Sequence, residues 1–328
     1  MERKMKLKFG IIGYGRIAKK TMIPALELSN YAELEMIGSR TPENREGFGT
    51  YEEVLANKKI EVVYISLPIG LHEEWAIKAA KAGKNILCEK SFTYSFDSAK
   101  RMLDVCKENN VRIMEGFMFK YHPQHSYVKQ LIKKNTLGDL LTFKGSFGSP
   151  FWDETDMRMD KSLGSGILND IACYPVCASR MIFNEEPESV FCNLKKDPKL
   201  GNLDIKADIL LNYSKGKTAF CSSSFNAAYQ STYDVWGTKS FLSVKRAYAV
   251  PEVMPTSIYL LNEKDEMEET IINPANQTRL MVDKFCKTIL REEEIDFESD
   301  LLAQARVMES IRLSDKEKRV VKISELNL

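Results

Sequence analysis

The chain has 328 residues, 44% of them hydrophobic and 28% charged, which is enough to bury two cores of ordinary domain size. Its 47 Lys and Arg against 46 Asp and Glu leave a net charge of +1 at pH 7, so no global field selects nucleic acid or an acidic partner. No apolar run approaches the roughly 20 residues that span a bilayer, so a membrane partner is not expected either.

The basic start, Arg3, Lys4, Lys6 and Lys8, precedes only a few apolar residues broken by Gly10, Gly13 and Gly15, so a secretory signal is not expected. The seven cysteines are odd in number and form no Cys-x-x-Cys pair, which reads as reduced thiols in a cytoplasm. A short apolar strand, Phe9–Ile12, then runs into Gly13-x-Gly15-x-x-Ala18, and a helical pattern follows through Met22, Ala25 and Leu26. This reads as the phosphate-binding turn of a dinucleotide fold. Gly13 permits the tight turn, Gly15 lets backbone approach a pyrophosphate, and Ala18 lets helix and strand pack closely.

Residues 32–40 alternate apolar and polar like a second strand. An acidic residue at its tip would bind the ribose 2′-hydroxyl of NAD. Glu35 comes 20 residues after Gly15, but it lies mid-strand between Leu34 and Met36, and the tip is Ser39-Arg40. A hydroxyl plus a guanidinium suits a 2′-phosphate, so NADP(H) is expected, with NAD(H) as the alternative. The competing reading of Arg40 is a solvated loop charge.

The connection from Thr41 to Thr50 has little helical pattern, so this unit looks trimmed of its crossover helix. Strand 62–67 follows, ended by Pro68, then helix 73–82, strand 85–90, helix 98–108 with Asp97 as its cap, and strand 112–115. Alternation to residue 122 predicts a Rossmann-type domain over 1–122, an α/β doubly wound parallel sheet. Beyond it, a helix at 123–133 precedes period-two runs at 140–147, 189–194, 205–213, 218–225, 232–236 and 257–261. A helix near 167–183 and two more at 277–291 and 300–313 complete the pattern. Residues 123–328 are therefore expected to form an α+β domain with a large, mainly antiparallel open sheet. Ligands of such folds bind in the cleft at the carboxyl ends of the parallel strands.

Lys90, in Glu89-Lys90-Ser91, falls at such a strand end. A lysine there can fix the nicotinamide ribose or exchange a proton with a substrate hydroxyl; the competing reading is a solvated pair with Glu89. In the block Gly164–Tyr174, a Gly-Ser-Gly turn leads into a helix on which Asp170 and Tyr174 are four apart and share a face. Dehydrogenation of an alcohol needs such an acid/base residue near a cation, though a packed tyrosine and a structural aspartate fit the same pattern. His122 and His125 lack the companion ligands of a zinc site, so no metal is expected. Tyr121-His122-Pro123-Gln124 could reach the cleft, and Phe151-Trp152-Asp153 with Arg158 could stack on a sugar and bind its hydroxyls.

Together these motifs resemble the glucose–fructose oxidoreductase/inositol dehydrogenase/rhizopine-catabolism (Gfo/Idh/MocA) family over nearly the whole chain, nearest its branch of NADP-dependent sugar dehydrogenases, sugar 3-ketoreductases and dimeric dihydrodiol dehydrogenase. The segments that carry the resemblance are Gly13–Ala18, Ser39-Arg40, Val63–Ile65 to His72 with Trp75-Ala76, Ala82–Lys84 leading to Cys88-Glu89-Lys90, Met114–Met118 with His122–Gln124, and Gly164–Tyr174. The resemblance implies that Lys90 is the active-site lysine, Tyr174 the acid/base tyrosine and Asp170 an assisting carboxylate. Expected cofactor contacts are Gly13, Gly15, Arg16, Ile17, Ser39, Arg40, Leu67, Pro68, His72, Glu89 and Lys90. Expected substrate contacts are Lys90, His122, Trp152, Arg158, Asp170 and Tyr174. The family usually has Glu-Lys-Pro, often with a cis bond, where this chain has Glu89-Lys90-Ser91. The expected activity is NADP(H)-dependent hydride transfer to or from a sugar hydroxyl or ketone, in a homodimer or higher homo-oligomer built through the second sheet. A non-catalytic sensor and a redox-assisted glycosidase of the same fold are the rival readings.

Overall fold

The computed structural model describes residues 6–41, 43, 46–150, 160 and 163–326. The chain divides into two compact units, Met1–Met118 with Gln277–Ala305, and Phe119–Asn276 with Arg306–Leu328.

The first unit is built on β1 (Leu7–Ile12), β2 (Ala32–Gly38), β3 (Phe48–Gly49), β4 (Val62–Ile65), β5 (Asn85–Cys88) and β6 (Ile113–Glu115). They form one parallel sheet in the order β3-β2-β1-β4-β5-β6. A parallel sheet flanked by helices on both faces needs apolar residues on both sides of each strand, and all four residues of β4 are buried. Helix Phe96–Glu108 shows the complementary rule. Phe96, Ala99, Met102 and Cys106 fall on one stripe and are buried, and Ser95 caps the start by accepting from the Ser98 N–H at 3.2 Å. The cap is thus Ser95 rather than Asp97.

The trimmed segment after β2 holds no helix among its described residues, but it adds an edge strand, β3, that sequence periodicity did not announce. Two residues are too few to show a period. β3 feeds helix Tyr51–Ala56 through a capping box, in which Thr50 Oγ1 accepts from Glu53 N at 3.1 Å and Glu53 Oε2 accepts from Thr50 N at 2.7 Å.

A division at residue 122 into two contiguous segments differs from these units, because residues 277–305 return to the first. Polar contacts help to hold them there. The Ser29 hydroxyl donates to Asp283 at 2.5 Å, and Arg112 makes a two-pronged contact with Glu298 at 2.7 and 2.8 Å.

In the second unit nine strands form one sheet. They are β7 (Leu140–Ser149), β8 (Ser189–Asp197), β9 (Leu203–Asn212), β10 (Thr218–Phe225), β11 (Gln230–Gly237), β12 (Phe241–Val244), β13 (Thr256–Leu261), β14 (Met267–Ile272) and β15 (Val321–Lys322). Their order is β14-β13-β12-β11-β7-β10-β9-β8-β15, antiparallel throughout except for β7 beside β10. Helix Cys173–Phe183 packs on β7 and β10, and all of its residues except Met181 are buried. The opposite face keeps large apolar groups in view, including Phe191, Phe220 and Trp236. β12, β14 and β15 lie outside the expected strands. β12 and β15 are short, and Met267-Glu268-Glu269-Thr270-Ile271-Ile272 lacks the alternation of a half-buried strand.

Asp283 is buried and also accepts from Arg279 at 2.7 Å. Asp283→Ala would strand the Ser29 hydroxyl, so thermal unfolding should show a loss of about 2–3 kcal/mol, against about 0.5 kcal/mol or less for exposed Glu27→Ala.

Candidate functional site

The strand order of the first unit reverses between β1 and β4, which is where open α/β sheets bind their ligands. The two turns that leave these strands touch. Gly13 N donates to the Gly38 carbonyl at 3.1 Å and Ser66 N to the Ile12 carbonyl at 2.8 Å. Gly13 has φ +103°, and a Cβ on it would fall 2.4 Å from the Ser66 carbonyl oxygen. Only glycine fits. At Gly15 the case is reversed, since a Cβ would meet no protein atom within 4 Å. The space beside Gly15 is open, as a turn that admits a pyrophosphate requires. Arg16 and Ile17 are exposed and begin the helical segment, which widens into a π turn at Ala18–Met22 before helix Ile23–Leu28. Pro24 has no N–H to continue an ordinary ladder there.

At the tip of β2, Ser39 is half-buried and donates its N–H to Gly49 O at 3.0 Å, while Arg40 is exposed and makes no ion pair with a described residue. Glu35 is directed away from this role: its carboxylate pairs with Lys8 at 3.6 Å and Lys59 at 3.5 Å. The tip therefore offers a hydroxyl and a cation and no carboxylate.

Lys90 is half-buried just past β5, and the Lys90–Ser91 peptide is cis, with serine in the place of the usual proline. Side chains hold the backbone around it. Glu89 accepts from the buried Tyr64 hydroxyl at 2.5 Å and, through its other oxygen, from Lys90 N at 3.3 Å. Burial, with Glu89 beside it, keeps the Tyr64 hydroxyl protonated far above its ordinary range. Glu115, at the end of β6, accepts from Phe92 N at 2.8 Å. His72 is fully buried, with Nδ1 3.1 Å from the carbonyls of both Ser91 and Phe92 and Nε2 2.9 Å from the Leu67 carbonyl. Both ring nitrogens thus face backbone carbonyls, and the neutral ring, with one N–H, donates through either Nδ1 or Nε2. Burial lowers its pKa against the opposing pull of the three carbonyls.

In the second unit, the segment that carries Asp170 and Tyr174 begins as a π turn, Leu168–Ala172, and continues as helix Cys173–Phe183. Asp204, on β9, accepts from Leu168 N at 2.8 Å and so caps its first turn. This approach depends on Gly166, which has φ +122° and whose Cβ would lie 2.2 Å from Asp204 Oδ1. Burial raises the Asp204 pKa, and the Leu168 N–H opposes the rise. Arg312 donates to Asn169 Oδ1 at 2.7 Å and Asn169 to Gly164 O at 2.8 Å, which fixes the glycine turn from its other side. The Tyr174 ring is buried against Phe147, Phe119 and Tyr248, with centroids 5.3, 5.7 and 5.8 Å away. Tyr64 and Glu115 lie in segments that carry the resemblance but were given no role, and Asp204 lies in none of them.

His122 caps helix Pro123–Lys133, with Nδ1 accepting from Gln124 N at 3.3 Å, while its buried Nε2 has no partner among the described residues. His125 is a core residue, placed between the Tyr233 hydroxyl at 3.0 Å and the Ala247 carbonyl at 2.9 Å. Trp152 and Arg158 lie outside the described residues. Among the described residues no group of three or more His, Cys, Asp or Glu could hold a metal ion, and no helix is long and apolar enough to cross a membrane.

Residues 7–117 match the model of an oxidoreductase family with an NAD-binding Rossmann fold, and residues 125–243 match the Gfo/Idh/MocA C-terminal domain. The chain is 31% identical over 323 residues to an oxidoreductase of Rhizobium meliloti, covering 94% of this chain and 96% of that one. It is 30% identical to a D-xylose 1-dehydrogenase (NADP(+)) of Haloferax volcanii, over 86% and 89% of the two chains. The solved structure of a 3-ketoreductase from Actinomadura kijaniata, in complex with NADP and TDP-benzene, superposes with a TM-score of 0.89 at 27% identity, covering 94% and 98%.

Burial lowers His122 to about 4 and His125 to about 3, from an ordinary 6.5. Between these values the unfolded chain binds more protons than the folded one, so stability falls as pH is lowered from 6.5 toward 4. His122→Asn keeps a capping acceptor but cannot titrate, so its denaturation midpoint should fall less between pH 7 and 5 than that of the wild type.

Proposed function

The chain belongs to the Gfo/Idh/MocA oxidoreductase family, and from that premise we propose that it is an NADP(H)-dependent enzyme moving hydride between nicotinamide and a hydroxyl or ketone carbon of a sugar or sugar derivative. The observation that carries the reading is the half-buried Lys90, held by side chains at the carboxyl end of β5, in the same sheet as the glycine turn. The relatives named as a D-xylose dehydrogenase and as a 3-reductase of a dTDP-linked keto-sugar support a sugar substrate without choosing between free and nucleotide-linked forms.

When bound, the nicotinamide supplies the hydride acceptor or donor. In the oxidative direction the carbon–hydrogen bond leaves as hydride while the hydroxyl proton passes to a base, and the product is the ketone or lactone. Tyr174 takes that proton. In this reading the charge of Lys90 stabilises the negative charge that develops on the oxygen, and Asp170, one helical turn before Tyr174, assists as a carboxylate. His122 contributes to substrate binding. Reduction runs the same steps backward. All seven cysteines are buried and none forms a disulfide, which supports a reducing, cytoplasmic compartment.

The open face of the second sheet supports a homo-oligomer. Phe191 pairs with Leu210 and Leu210 with Phe220 across β8, β9 and β10, so an apolar row crosses three strands, and Phe220 is 48% exposed. Phe220→Glu should therefore shift sedimentation to the monomer, whereas an unchanged sedimentation coefficient would remove this face as the interface.

For the cofactor, fluorescence titration should give a clear preference for NADPH over NADH. Arg40→Ala should weaken NADPH by on the order of tenfold while leaving NADH within about twofold, the loss of one charge-assisted contact to a 2′-phosphate. Equal affinities in the wild type would contradict the role given to Ser39 and Arg40.

A further inference from the structure

We infer that His72 and Glu115 are positioning residues that set the place of the Lys90 side chain by holding the backbone that follows it; the inference rests on the proposed role of Lys90. Three backbone polar groups of residues 91 and 92 end on these two side chains. Glu115 takes the Phe92 N–H at 2.8 Å, and the His72 ring faces the carbonyls of Ser91 and Phe92, each 3.1 Å away. The anchors come from different elements. Glu115 ends β6, and His72 opens helix His72–Lys81. Its Nε2 lies 2.9 Å from the Leu67 carbonyl, so the ring sits between the loop after β4 and the loop after β5.

Burial excludes the simpler role for the imidazole. His72, Ser91 and Phe92 are buried, and a ring with both nitrogens on carbonyl oxygens has none left for a ligand. A purely apolar core residue would pack there as well, yet it would offer these carbonyls no N–H, of which the neutral ring carries one. The sequence also shows why the turn needs such restraint. A proline after the lysine would fix its own φ through the ring. Ser91 carries no ring, so side-chain hydrogen bonds take over the restraint. Displacing a group that stabilises the reacting charge by about 1 Å costs up to about 100-fold in rate, which is the scale on which the two residues act.

The test uses the full-length protein as wild type, Glu115→Gln, Glu115→Leu and His72→Phe. Lys90 is acetylated competitively with acetic anhydride across a pH series and followed by mass spectrometry. Exchange of the Phe92 amide is followed by NMR, NADPH affinity by fluorescence, and kcat and KM with D-xylose and NADP+. Glu115→Leu and His72→Phe should lower kcat by about 10- to 100-fold. They should also shift the pH midpoint of Lys90 acetylation and speed Phe92 exchange, with NADPH affinity within about twofold of wild type. Glu115→Gln keeps an acceptor for the Phe92 N–H and should match wild type in every readout.

Unchanged acetylation and exchange in Glu115→Leu would overturn the inference for Glu115. Equal losses in Glu115→Gln and Glu115→Leu would overturn it too, by assigning the effect to charge. A His72→Phe protein whose one defect is weak NADPH binding would return His72 to cofactor contact. If wild type turns over no sugar, the substrate reading fails, and acetylation and exchange still decide the positioning claim. If His72→Phe does not fold, the Glu115 pair decides it.

Discussion

The close approach of two turns, one after β1 and one after β4, is the constraint on which the first unit depends. The Ser66 carbonyl sits where a side chain on residue 13 would have to begin, so glycine is required there twice over, by space and by its positive φ. That approach brings the start of the first helix and the Leu67-Pro68 loop to the same edge of the sheet. From Leu67 the chain of contacts runs on through the His72 imidazole to Ser91 and Phe92, and so to the turn that carries Lys90. A change at Gly13 would therefore reach further than the phosphate turn itself.

The second unit repeats the device. Gly166 stands where a side chain would collide with Asp204, and the carboxylate uses the space to cap the segment of Asp170 and Tyr174. In both units, then, a glycine gives up its side-chain volume to an oxygen from a neighbouring element, next to a segment that carries a candidate site residue. The aromatic wall of Phe119, Phe147 and Tyr248 completes the restraint on Tyr174 by packing rather than by hydrogen bonds.

Much of the architecture was legible because burial imposes a period. Strands buried on both faces read as apolar runs, such as Val62–Ile65, and half-buried ones as alternation, such as Leu203–Asn212. β3 was not legible, since two residues carry no period, nor was β14, whose glutamates mark a solvated edge. The return of residues 277–305 rests on contacts such as Ser29 with Asp283, 254 positions apart, which no local pattern encodes. At the candidate site the glycine turn, Ser39, Arg40 and Lys90 could be named from strand ends alone. His72 was named as a cofactor contact, and its sequence position near Pro68 could not show that its ring faces the carbonyls of Leu67, Ser91 and Phe92. Glu115 and Asp204 escaped altogether, since a carboxylate that accepts from a distant backbone N–H looks in sequence like any surface acid.

The central claim is that this chain transfers hydride to or from a sugar carbon. Its most direct test is incubation with NADPH deuterated at C4 of the nicotinamide, on each face in turn, together with a panel of keto-sugars and aldoses, followed by mass spectrometry. Deuterium bound to carbon in one reduced sugar, from one face only, is the expected result, and Tyr174→Phe should lower its rate by on the order of 100-fold or more. No deuterium in any sugar, with NADPH bound but not consumed, would contradict catalysis and favour a sensor. Glycoside cleavage without net loss of NADPH would instead identify a hydrolase of the same fold.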